Sequence, residues 1–107
     1  MTSSKQTQPS EAICSRVFEM FGDRWTLRIV NALRDGELRF KEIEKCLSIN
    51  SATLSTRLKR LEDMKLVVRS EETIDKLSVT YKLTKFGMEL LPIYDGIVTF
   101  GEKVVTN

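Results

Sequence analysis

A chain of 107 residues with 41% hydrophobic content has apolar material for one modest core and no second globular unit. Its formal net charge of +2 is too small to mark a nucleic-acid binder by balance alone, so any basic patch must be local. With no histidine, only two cysteines, and no apolar run near the roughly 18 residues that span a bilayer, no metal, cofactor or membrane partner is expected, and the expected compartment is the cytoplasm.

Residues 1–9 are polar, rich in Ser, Thr and Gln, and read as a disordered N-terminal arm. Residues 10–107 read as a single domain. A first helix ends at Phe21 and starts at either Ser10 or Ser15, with Ile13, Val17 and Phe21 on one face and Gly22 as its stop. Asp23 is positioned to cap a second helix, which carries Trp25, Leu27, Ile29, Val30 and Leu33 and should run to Gly36. Being apolar over most of its circumference, this is the expected central helix, and Trp25 is assigned to the core or to a subunit seam. A short extended piece over residues 37–40 can pair with later strands.

Apolar residues then recur at Phe40, Ile43 and Leu47, and again at Leu54, Leu58 and Leu61, so two helices each carry one greasy stripe. Cys46, three positions after Ile43, is assigned to the same core side, with a disulfide between subunits as the alternative. Residues 48–51 form a tight turn between them, with Ser51 as the expected N-cap. Two helices joined in this way are the minimum device for reading a major groove. Charge agrees with that use. Arg39, Lys41, Lys45, Arg57, Lys59 and Arg60 face only Glu42 and Glu44 in this window, a local excess of positive charge.

Residues 66–69 are β-branched and apolar, and Val79, Tyr81 and Leu83 alternate with Thr80, Lys82 and Thr84, which predicts a hairpin with a long tip over residues 72–77. Glu62, Asp63, Glu71, Glu72 and Asp75 outnumber Lys65 and Arg69 around its outgoing arm, so this wing should not press on phosphates. Thr84 caps the last helix, over residues 84–105, in which Phe86, Leu90, Ile93 or Tyr94, Ile97, Phe100 and Val104 recur at 3.5 to 4 residues. So small a domain cannot cover that stripe, about 30 Å long, and a second copy of the chain is the expected cover. Pro92 leaves two readings open, a kink or two helices. The fold class is mainly α with a small antiparallel β-hairpin: a winged helix-turn-helix with N- and C-terminal dimerisation helices.

With Leu54, Leu58 and Leu61 turned inward, the helix after Asn50 offers Ser51, Thr53, Ser55, Thr56, Lys59 and Arg60 to the outside, and Arg57 flanks the stripe. These are the candidates for phosphate or base-edge contact, joined by Arg39 and Lys41 on the preceding helix and by Lys76 at the wing tip. The competing reading of Arg57 is a surface ion pair. Val17, Phe21, Leu90, Ile93, Tyr94, Ile97, Phe100 and Val104 are the dimerisation candidates.

Four motifs stand in order: Gly22-Asp23-Arg24-Trp25, Arg39-Phe40-Lys41-Glu42-Ile43, the run LSTRLKRLE over residues 54–62, and YKLTKFG over residues 81–87. In these, over about residues 14 to 102, the chain resembles the HxlR-type transcription factors, a winged-helix group related to the MarR regulators. The resemblance implies a dimeric DNA-binding regulator, many of which sense oxidants, quinones or aldehydes through a cysteine near the start of the first helix. Here that cysteine is Cys14. Its thiolate is favoured if the helix begins beside it, less so if the helix begins at Ser10, and the competing reading is a small apolar residue. The chain departs from the family pattern in three places. Residues 75–78 read Asp-Lys-Leu-Ser where Val-Pro-Pro-Arg is usual, Ser15 stands for a proline, and Lys65 stands for the glycine that closes the recognition helix.

An enzyme is disfavoured, because no glycine-rich phosphate loop or recognisable catalytic setting accompanies the missing histidines. The expected function is a dimeric, sequence-specific DNA-binding regulator, a repressor rather than an activator, responsive to redox or electrophiles through Cys14. The alternative is a winged helix serving only as a protein-interaction module.

Overall fold

A computed structural model describes residues 8–72 and 78–106. The expected wing tip and most of the expected N-terminal arm lie outside the described residues. Among the described residues, six helices and three strands follow in the order α1 (Glu11–Phe21), α2 (Thr26–Ala32), β1 (Leu38–Arg39), α3 (Phe40–Leu47), α4 (Ser51–Asp63), β2 (Val67–Glu72), β3 (Ser78–Leu83), α5 (Lys85–Met88) and α6 (Leu91–Val105).

Helix α1 takes the earlier of its two starts. The Ser10 hydroxyl accepts from the Ile13 amide at 3.2 Å, and the Ser10 carbonyl accepts from the Cys14 amide at 3.0 Å. Asp23 then receives the Thr26 and Trp25 amides at 3.3 and 3.4 Å, so its carboxylate opens α2 as expected. That helix stops at Ala32, short of Gly36. Its last turn tightens, with Leu33 donating to Val30 and Arg34 to Asn31, and Gly36, at φ 145, turns the chain into β1. Trp25 therefore stands just before the helix.

Ile29, Val30 and Leu33 of α2 and its turn meet Ile43 of α3 and Leu54, Leu58 and Leu61 of α4, all at most 2% exposed. Leu66, Val67, Tyr81 and Leu83 close this core from the sheet side. The sheet has the order β1-β3-β2, antiparallel throughout, with Leu38 opposite Tyr81 and Val67 opposite Leu83. The extended piece before α3 does add a third strand to the hairpin.

Three junctions set the geometry. Ser48 adopts a left-handed conformation after α3, Ile49 is buried under the turn, and Asn50 is the cap of α4, its Oδ1 accepting from Ala52 at 2.8 Å and Thr53 at 3.2 Å. The cap is thus Asn50, with Ser51 as the first helical residue; either side chain suits the position, and Asn50 reaches two amides from it. At the other end of α4, Leu66 donates to Leu61 and Lys65 to Glu62, the paired bonds of a Schellman turn, and Lys65 holds its left-handed position at φ 65. Thr84 joins this end to α5: its hydroxyl donates to the Lys65 carbonyl at 2.8 Å and accepts from Gly87 at 2.9 Å. Gly87 is buried so tightly that a Cβ there would collide with the Leu66 carbonyl.

The C-terminal stripe is two helices. The break falls at Glu89 and Leu90, and Pro92 lies in the first turn of α6, where its missing N–H leaves no hydrogen bond unmade. The longer piece, 15 residues, spans about 22 Å rather than the expected 30 Å. No helix among the described residues is long and apolar enough to cross a membrane.

Candidate nucleic-acid interface

Because Leu54, Leu58 and Leu61 are buried, the opposite side of α4 must face out, and it carries the hydroxyls. Ser51, Ser55 and Thr56 are exposed and Thr53 is half-buried. The Thr56 hydroxyl donates to the Ala52 carbonyl at 3.0 Å, which leaves its lone pairs outward. Lys59 is exposed and sits 3.5 Å from Asp63, a pair that water screens. Arg60 is half-buried and makes no ion pair among the described residues.

Arg57 is engaged elsewhere. Its Nε lies 2.5 Å from Asp23 Oδ2, with both side chains largely shielded, so α4 is tied to the loop before α2. Burial by itself would raise the Asp23 carboxyl; the Arg57 guanidinium and the Thr26 and Trp25 amides outweigh it and hold the group below its ordinary value. The reading of Arg57 as an ion-paired residue thus describes its geometry, and a direct role in reading bases is not built on it.

Arg39 and Lys41 are exposed at the start of α3, where the Arg39 amide donates to Glu42 Oε1 at 2.8 Å. Lys76 lies outside the described residues. On the described part of the wing, Arg69 pairs with Glu71 at 3.5 Å.

Cys14 takes one of its two expected settings, whereas Cys46 leaves the core assigned to it. Cys14 is half-buried and lies one turn inside α1, with its amide already bonded to Ser10, the setting of the earlier helix start. Cys46 is exposed rather than in the core, because Ile43 and Leu47 fill the inward side of an eight-residue helix.

The proposed dimerisation residues divide into two groups. Phe21, Leu90 and Tyr94 are half-buried, the first two packed on the chain's own core. Val17, Ile93, Ile97, Phe100 and Val104 are exposed, the last four by more than half. Neither α1 nor α6 buries a single residue. Phe18, 71% exposed, belongs to the same apolar display and was legible: Cys14, Val17, Phe18 and Phe21 stand at i, i+3, i+4 and i+7. Between α1, the end of α4 and the α5–α6 break, an apolar hollow of about 480 Å³ is lined by Phe21, Met64, Phe86 and Ile93. Helix α6 is fixed to the body by Arg34, whose guanidinium donates to both Asp95 oxygens and to Asn31.

Known proteins share this arrangement. A family model described as HxlR-like helix-turn-helix matches residues 20–107. The HTH-type transcriptional regulator YodB of Bacillus subtilis is 32% identical over 87 residues, 80% of this chain and 78% of that protein. An uncharacterized HTH-type transcriptional regulator of Mycobacterium tuberculosis is 32% identical over 88 residues, 82% of this chain, which spans only 56% of that relative's length. Among solved structures, the reduced form of B. subtilis YodB superposes with a TM-score of 0.76 at 30% identity, covering 90% of this chain and 94% of that one. The redox regulator HypR in its oxidized form gives a TM-score of 0.74 at 29% identity, covering 84% and 94%.

Proposed function

The chain belongs to the HxlR-like helix-turn-helix family of transcriptional regulators, and from that premise we propose that it binds duplex DNA as a homodimer, placing α4 of each copy in a major groove. The observation that carries this reading is α4 itself: its leucines are fully buried while Ser51, Ser55 and Thr56 are exposed with Arg60 beside them. Recognition helices read bases with their first turns, and short hydroxyl side chains there allow close approach. Arg39 and Lys41 fix the duplex through its phosphates. Ser51, Thr53, Ser55, Thr56 and Arg60 carry the base-edge contacts, Lys59 and Lys76 add phosphate contacts, and Arg57 holds α4 in register through Asp23.

A second copy covers α1 and α6. Their exposed Val17, Phe18, Ile93, Ile97, Phe100 and Val104 form apolar faces of a kind that soluble monomers rarely leave to water. A two-fold dimer presents its α4 helices to a pseudo-palindromic site with half-sites about one or two helical turns apart, where its bulk represses by occluding polymerase. Cys14 lies on the α1 stripe, between the two copies in this arrangement, so an adduct on its thiol acts on the subunit contact. Support comes from relatives whose structures are described as reduced, quinone-bound and oxidized. A protein-interaction module without DNA binding is disfavoured by the polar, cationic outer face of α4.

Footprinting upstream of the chain's own gene with reduced, oxidised and Cys14→Ser protein tests all three parts. A symmetric footprint supports the dimer on DNA, and its loss on oxidation only when Cys14 is present supports sensing. If about five of these cationic side chains per dimer meet phosphate at once, log K should fall against log salt with a slope near −4.5. A slope near zero refutes groove binding.

A further inference from the structure

Trp25 is flanked by two cations. The guanidiniums of Arg24 and Arg28 lie 4.8 and 5.0 Å from the centroid of its ring. Attraction to the indole holds each in place, yet two like charges drawn to one ring repel each other. Neither forms an ion pair with a carboxylate among the described residues. The carboxylate next to them in the chain, Asp23, is occupied by Arg57 and forms no ion pair with either arginine.

The same ion pair gives the location. Arg57 shares one flank of α4 with Thr53, four residues before it, and Arg60, three residues after it. Asp23 is bonded to that flank, and Arg24 and Trp25 follow it directly in the chain. The paired cations therefore sit beside the edge of the helix that carries Thr53 and Arg60. Stacking limits the freedom these side chains have left to lose on binding. A phosphodiester supplies what they lack, a compact anion able to accept two parallel N–H bonds from a guanidinium.

We propose that Arg24 and Arg28, held on Trp25, clamp a backbone phosphate of the duplex beside the groove occupied by α4. The clamp rests on the DNA-binding reading above and extends it to the loop before α2. It positions the duplex and reads no bases.

Fluorescence anisotropy of the full chain with two labelled duplexes of about 30 base pairs and unrelated sequence, across about 50 to 200 mM salt, tests it. Arg24→Gln/Arg28→Gln should weaken binding about tenfold or more, by a similar factor on both duplexes, and flatten the salt slope by about 0.9 per lost phosphate contact. Arg24→Lys/Arg28→Lys should restore most of the slope. If the wild type binds and the double glutamine variant keeps its slope and affinity, the two arginines merely cover the outer side of a half-buried ring and the clamp is refuted alone. If the wild type binds neither duplex, the DNA-binding reading falls together with the clamp. Thermal melts check folding, and should the double variant melt early, the exposed Arg24→Gln alone decides by the same slope criterion.

Discussion

Helices α4 and α6 have similar lengths, 13 and 15 residues, and each carries an apolar stripe at helical spacing, but they use it in opposite ways. Leu54, Leu58 and Leu61 of α4 are at most 1% exposed, whereas Ile97, Phe100 and Val104 of α6 are exposed by 57%, 66% and 64%. A stripe in the sequence announces that something must cover it; only the fold says whether the cover is the same chain. In α4 the cover is α2, α3 and the sheet, so its polar side is free for a ligand. In α6 half the cover is missing, and the second copy proposed above supplies it.

The largest expected effect tests that division. Leu58→Ala should destabilise the fold by about 2–5 kcal/mol through a buried cavity, by an amount independent of protein concentration. Phe100→Ala should cost less in the dilute chain and show its loss as a concentration-dependent melting temperature. Sedimentation and denaturant titrations at several concentrations separate the two. Equal, concentration-independent losses would mean that α6 is covered from within. Next in size, Arg60→Ala on the free side of α4 should weaken operator binding by about 1–3 kcal/mol and relax specificity at one position, read by titrating operator and mutated-operator duplexes. Unchanged affinity on both would remove Arg60 from the reading face.

The contrast also explains what the sequence could and could not disclose. The leucines of α4, the third strand and the Thr84 cap were legible because each is a local pattern with one physical solution. The end of α2 was not, since a tightened last turn leaves no mark at Ala32, and Gly36 signals only the bend beyond it. Pro92 was compatible with a kink or a new helix because proline is as comfortable in a first turn as it is costly inside. Arg57 was ambiguous for another reason: its partner Asp23 lies 34 residues away, and periodicity carries no information about such pairs. Trp25 does pack against the core, as its place in an apolar stretch suggested, but no spacing rule announces that Arg24 and Arg28 fold over its ring.

The Asp23–Arg57 link between α4 and the loop before α2 gives a smaller, pH-dependent effect. A carboxyl held below its ordinary value contributes stability above its unfolded pKa and loses it as pH falls through the folded one. Asp23→Asn should therefore cost about 1 kcal/mol at neutral pH, the size of one capping contact, with the gap from wild type closing as pH drops below about 4. Denaturant titrations at neutral and acid pH measure that gap. A difference that stays constant across the range would show that the charge on Asp23 contributes nothing.

The smallest effect concerns how α4 ends. Its Schellman turn needs a left-handed residue, and this chain places Lys65 there, at φ 65, with Leu66 buried behind it. A side chain in that conformation costs about 1–2 kcal/mol, while glycine gives back part of the gain through its freer unfolded state. Lys65→Gly should thus stabilise by about 0.5–1 kcal/mol, visible as a small rise in the denaturation midpoint at constant slope. It should leave DNA affinity unchanged, since position 65 lies at the far end of α4 from Ser51. A loss of affinity instead would mean that the lysine charge reaches the duplex from the closing turn, and would extend the contact surface along the whole helix.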